Sequence, residues 1–107
     1  MRVYISGPIT GREQDAALRF EQAERAIHKR YRCETINPER IGRYAAMCAG
    51  LSQEDYMHLA LAEMEICDAV YFMEGWQRSA GCKTEYAYAI ARNMRFIDRD
   101  DTKEGDE

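Results

Sequence analysis

The chain has 107 residues, one domain's worth and not two. Its 46% apolar and 10% aromatic content excludes a disordered chain, and at this size about two thirds of the unfolded surface is buried, enough for a core without staples. The net charge of −4 is concentrated in Arg99–Glu107, with five acids and two bases, which argues against extended nucleic-acid binding and marks that stretch as a solvated acidic tail. The domain is then residues 1–98.

Arg2–Ser6, rich in β-branched and aromatic residues and stopped by Gly7-Pro8, reads as a buried first strand. Gly7–Gly11 is a loop with two glycines and a proline. From Glu13 to Tyr31, Ala16, Phe20, Ala23, Ile27 and Tyr31 recur at helical spacing. Cys33–Ile36 is a short second strand ended by Asn37-Pro38, and Gly42–Leu51 reads as a loop with a helical turn. Ser52, with Asp55 three residues on, marks the start of a helix running to about Ile66. Ala69–Met73 is a continuous apolar run suited to a central parallel strand. Glu74–Gly81 is a loop, a helix follows to about Asn93, and Arg95–Asp98 is a last short strand.

Strands that alternate with helices predict a flavodoxin- or Rossmann-like α/β domain, a parallel sheet of four to five strands with helices on both faces. Ligands of such sheets bind beyond the carboxyl ends of the strands, at the switch point in strand order. Gly7–Gly11 and Glu74–Gly81 qualify, because each leads into a helix N-terminus that favours an anion. Twelve of the fifteen basic residues are arginine, suited to phosphate or carboxylate. Cys33, Cys48, Cys67 and Cys82 show no metal-binding or redox spacing, so they read as reduced, mostly buried thiols, and no metal or organic cofactor is implied. The longest uncharged stretch, Tyr44–Gln53, is ten residues and partly polar, too short to span a membrane. With no signal-peptide core after Met1-Arg2, a cytoplasmic protein is expected.

Tyr4-Ile5-Ser6-Gly7-Pro8-Ile9-Thr10-Gly11, Cys67-Asp68-Ala69-Val70-Tyr71 and the stretch Gly75–Ala89 resemble the nucleoside 2-deoxyribosyltransferase-like family. Asn37-Pro38-Glu39 fits a group of small bacterial and phage proteins within it. The resemblance implies that Glu85 is a nucleophile toward the anomeric carbon of a deoxyribose, and that the Tyr4 hydroxyl orients it. A place for Glu85 in the first turn of its helix would hold the carboxylate ionised. Ser79 matches the residue that holds a 5′-phosphate in the nucleotide-hydrolysing branch, which points to a nucleoside monophosphate as substrate. Gly7, Pro8, Ile9, Gly11 and Gly81 would form the binding loops, Arg78 would add positive charge, and Trp76 would either stack on a base or pack on the sheet edge.

One departure matters. The family usually places an Asp eight residues before the Asp of Cys67-Asp68-Ala69-Val70, and here that position is Ala60. Glu63, on nearly the same helix face, is the candidate stand-in. Asp68, where a strand begins, reads as a turn or cap residue, and His28 as a solvated residue. The leading expectation is a nucleotide N-glycosidase or deoxyribosyltransferase-like enzyme. The alternative, favoured by Ala60, is a non-catalytic nucleotide-binding module that senses or scavenges a nucleotide signal. The resemblance also implies a homodimer or larger assembly, with Tyr44–Leu51, Tyr86 and Tyr88 as contact surfaces.

Overall fold

The computed structural model describes residues 1–102. Four strands, β1 (Arg2–Ser6), β2 (Glu34–Ile36), β3 (Ala69–Phe72) and β4 (Arg95–Ile97), form one parallel sheet in the order β2-β1-β3-β4. Val3 pairs with Thr35 on one side of β1, Tyr4 with Val70 on the other, and Val70 in turn with Phe96. The strand order reverses between β1 and β3, so their carboxyl ends open a crevice at the expected switch point.

Helix α1 (Glu13–Arg30) lies on one face and buries Ala16, Phe20, Ala23 and Ile27. These meet Val3, Ile5, Ala69, Tyr71 and Ile97 in an apolar cluster. Helices α3 (Gln53–Glu65) and α4 (Ala80–Ala91) cover the other face, where Ala60, Met64 and Ala89 meet Tyr4, Val70 and Phe72. Side chains alternate along a strand. Val3 and Ile5 therefore pack under α1 while Tyr4 and Ser6 point to the α3–α4 side.

The Gly42–Leu51 stretch differs from the sequence reading. Pro38–Cys48 is a full helix, α2, starting at Pro38 with Asn37 as its cap. The Asn37 side chain accepts hydrogen bonds from the Glu39 and Arg40 amides at 3.1 and 3.2 Å. Asn before Pro is a strand stop, but it is also a helix start, because Pro at the first helical position sacrifices no internal bond. The helix escaped notice because Glu39 is its one buried residue. Ser52 caps α3 as read: its hydroxyl accepts from the Asp55 amide at 3.0 Å while Asp55 accepts from the Ser52 amide at 2.9 Å. Asp68 likewise holds the start of β1, accepting from the Arg2 amide at 2.9 Å. His28 is exposed beside the Thr35 hydroxyl.

Two further segments shape the crevice. The first loop is tied to α1 by Arg19, whose guanidinium donates to the Pro8 and Arg12 carbonyls at 2.8 and 3.3 Å. The loop after β3 turns at Gly75, with φ of +87°, into a single 3-10 turn at Trp76–Arg78. After β4, Arg99–Thr102 forms another such turn, with Thr102 buried and its hydroxyl bonded to Tyr71 Oη at 3.2 Å. The rest of the acidic stretch, 103–107, lies outside the described residues. All four cysteines are free thiols: Cys67 and Cys82 buried, Cys33 half-buried and Cys48 exposed. Among the described residues no helix is long and apolar enough to cross a membrane.

Candidate functional site

Glu85 is the centre of the site. It shares the inner stripe of α4 with Cys82 and Ala89, at helical spacing, and is 8% exposed. Tyr4 and Ser6, two residues apart on one face of β1, both reach it. The Tyr4 hydroxyl donates to Oε2 at 3.1 Å and the Ser6 hydroxyl to Oε1 at 2.6 Å. Ser6 was missed in the sequence, although a polar residue inside a buried strand, in alternation with Tyr4, was a usable signal.

The electrostatics run against the expected ionisation by a helix dipole. Helix α4 begins at Ala80, which puts Glu85 in its second turn, and the dipole fades beyond the first. Burial pushes the Glu85 carboxyl above the usual carboxylate range, and the hydrogen bonds from Ser6 and Tyr4 pull the other way without prevailing. Burial, then the charges of Glu85 and Glu63, raise Tyr4 well above its ordinary 10.0, so it stays a donor.

Glu85 lies in the wall of a cavity of about 590 Å³. Strand β1 and its loop contribute Tyr4, Gly7, Ile9 and Thr10, and α3 contributes Met57 and Ala60. Helix α2, unseen in the sequence, supplies a whole wall: Pro38, Glu39, Gly42, Arg43 and Ala46. A second chamber of about 510 Å³ lies against the start of α4, between Pro8, Arg12, Gly75, Arg78 and Ala80. Thr10, Gln53, Ser79 and Gly81 line both chambers, so the two form one cleft. Its inner part carries the acids Glu13, Glu39 and Glu85 against one arginine, whereas its outer part carries Arg12 and Arg78. A ligand with an anionic end and a hydroxyl- or amine-bearing body matches that polarity.

The residues singled out in the sequence divide into three groups. Tyr4, Gly7, Ile9, Ser79, Gly81 and Glu85 come together in the inner cavity; Pro8 and Arg78 line the outer chamber. Ser79 caps α4, accepting from the Cys82 amide at 3.2 Å, which leaves its own O–H to donate. Gly7 has a structural reason as well, since a Cβ there would run into the Met73 sulfur. Gly11, Trp76 and Glu63 do not line either chamber. Gly11 instead sets the turn into α1 with φ of +83°. Trp76 packs on the sheet edge: its ring stacks on Tyr86 at 4.8 Å and meets Phe72 at 4.9 Å, which removes it as a base platform.

Glu63 is the larger correction. Ala60 borders the cavity, but Glu63 sits almost a full turn further along α3, which runs away from the carboxyl ends of the strands. It is half-buried, and its Oε1 accepts no hydrogen bond among the described residues. Burial, with the negative charge of Glu85 behind it, pushes its carboxyl from 4.5 up to about 7. A stand-in acid must reach the leaving base, and Glu63 is not among the residues that line either chamber. Among the described residues no group of three or more His, Cys, Asp or Glu could hold a metal ion.

No curated protein and no solved structure matches the chain. A family model does match residues 1–98, which carry the four described strands and all the residues of the cleft. The chain therefore belongs to the family described as a domain of unknown function, DUF4406.

Proposed function

We propose that the protein cleaves the N-glycosidic bond of a deoxyribonucleoside 5′-monophosphate, by hydrolysis or by deoxyribosyl transfer, with Glu85 as nucleophile. The observation that supports this most is the carboxyl of Glu85, held by two hydroxyl donors in the wall of a cleft with a basic outer chamber. An ionised Glu85 oxygen attacks C1′ as the C1′–N bond breaks, and the bonding pair leaves with the base, which takes a proton from solvent. Water then opens the glycosyl-enzyme ester and restores the carboxylate. Tyr4 and Ser6 position the carboxylate throughout. In the outer chamber, Ser79, the free amides at the start of α4, Arg12 and Arg78 would receive the 5′-phosphate. Such an enzyme is cytoplasmic.

Chromatography of each deoxynucleotide after incubation with the protein tests the reading. Wild type should release free base and deoxyribose 5-phosphate. Glu85→Gln should lose about 10³-fold or more in rate while binding within roughly tenfold, because the nucleophile acts chiefly in the transition state.

A second reading, nucleotide binding without turnover, is favoured by Ala60 in the cavity wall. Ala60→Asp separates the two. It should raise base release by ~10²–10⁴-fold if a missing proton donor limits the rate, and should change nothing in a pure binding module. We also infer a homodimer or larger assembly, because α2 carries Tyr44 and Met47, 61% and 81% exposed, on the helix that walls the cleft. A monomeric mass by light scattering at micromolar concentration would overturn that.

A further inference from the structure

The α2 wall of the cavity holds an ion pair that the chemistry at Glu85 does not use. Glu39 is 9% exposed and accepts from Arg43 twice, from Nε at 2.8 Å and from Nη2 at 3.1 Å. Pairs spaced four residues apart on a helix are ordinarily solvent-exposed and weak. This one is different on two counts: its carboxylate is buried, and both residues line the cavity that contains Glu85. Burying a carboxylate is costly unless it is paired and hydrogen-bonded, and Arg43 meets that need from within the same cavity wall. The two bonds to Glu39 fix the guanidinium relative to the carboxylate. They also leave the remaining N–H donors of Arg43 and the second lone pairs of Glu39 unspent.

The pair therefore presents a block of acceptors directly beside a block of donors. The four deoxynucleotide bases differ in whether their edges match such a surface. Guanine runs from two acceptors, N7 and O6, to two donors, N1–H and the 2-amino group. Cytosine runs from a donor, the 4-amino group, to two acceptors, N3 and O2. Adenine alternates acceptor, donor, acceptor through N7, the 6-amino group and N1, and thymine does the same through O4, N3–H and O2. An alternating edge puts one of its groups against a like partner wherever the block surface meets it, and each such mismatch leaves a buried polar group unpaired.

Resting on the nucleotide reading of the cleft, we propose that the Glu39–Arg43 pair reads the base and selects guanine and cytosine over adenine and thymine. The surrounding lining is compatible with a flat ring, since Pro38 and Ala46 of α2 and Met57 of α3 are apolar and Gly42 carries no side chain toward the cavity. Glu39 and Arg43 would thus determine specificity while Glu85 performs the chemistry.

Thermal-shift titrations of wild type with dGMP, dCMP, dAMP and dTMP at one salt concentration test the proposal. Apparent Kd values for dGMP and dCMP should be tighter than for dAMP and dTMP by roughly 5- to 150-fold, the worth of one good bidentate base contact. Glu39→Gln replaces the acceptor block with a mixed amide and should level the four to within about threefold. Arg43→Gln, at a half-exposed side chain, should do the same and decides the matter if Glu39→Gln does not fold. Equal affinities in wild type, or a preference that survives both variants, would overturn base reading by this pair and leave the glycosidase reading standing. Binding of none of the four would overturn both.

Discussion

The two faces of β1 are built from neighbouring residues and differ completely in kind. Val3 and Ile5 point to the α1 side, where Phe20 and Ile27 are also fully buried and no charged group enters the cluster, its Tyr71 hydroxyl being bonded to Thr102. Tyr4 and Ser6, one step out of phase, point to the α3–α4 side, where they support a buried carboxylate whose charge helps to raise the Glu63 carboxyl. One face gains stability from every contact. The other face holds groups whose burial opposes ionisation, the usual mark of a site kept for chemistry at a cost in stability.

Substitutions on the two faces should therefore fail in different ways. The largest effect on folding belongs to the apolar face: Phe20→Ala should destabilise by about 3–5 kcal/mol in urea unfolding, as deletion of a fully buried ring does. The relative affinities of the folded fraction for different nucleotides should be unchanged. A loss of stability below 1 kcal/mol would show that this face is not the main core.

On the polar face the losses should appear in turnover. Tyr4→Phe and Ser6→Ala each remove one hydrogen bond to a charged group, worth about 1.5–3 kcal/mol, or roughly 10- to 150-fold in kcat. Each also withdraws a contact that holds the Glu85 carboxyl down, so the acid limb of the rate profile should move to higher pH in both variants. Activity in wild type should fall as pH drops through the raised pKa of Glu85, with a midpoint above 4.5. An acid limb unmoved by either substitution would break the link between these hydroxyls and the carboxylate.

The smallest effect sharpens the comparison most. The fold favours the neutral form of Glu63, whose carboxyl is raised from 4.5 to about 7. Its contribution to stability is thus fully present below pH 4.5 and is lost as pH rises through about 7. Glu63→Gln should remove that loss. After allowance for the half-exposed side chain, the variant should be more stable than wild type by about 1–2 kcal/mol at pH 8 and nearly equal to it at pH 4. Urea unfolding at the two pH values would check this, and a variant less stable at both would show that the Glu63 carboxylate is satisfied in its ionised form.

How much of this was legible in the chain depends on what each segment faces. Strands β1 and β3 and helix α1 bury continuous apolar surface, so their periodicity is written in residue type. Helix α2 turns its inner face to a cavity rather than a core, and its apolar Ile41, Tyr44 and Met47 are exposed, so with Gly42 in its middle its pattern does not read as that of a core helix. Its Asn37-Pro38 start was visible but read as the end of a strand. Glu63 was misplaced for a related reason. A helical wheel puts it near Ala60, but the rise along α3 takes it off the lining of the cleft.

By itself the sequence determined the four strands, helices α1, α3 and α4, the parallel sheet and the two loops at the switch point, because local periodicity and turn residues act over a few positions; Glu85 was singled out by the motif resemblance instead. Tertiary structure alone decided that Ser6 joins Tyr4 on the Glu85 carboxyl, that Trp76 spends its ring on Tyr86, and that Glu39 and Arg43 wall the cavity. Those facts depend on contacts between residues far apart in the chain, and no spacing along it encodes which distant side chains a fold will bring within 3 Å.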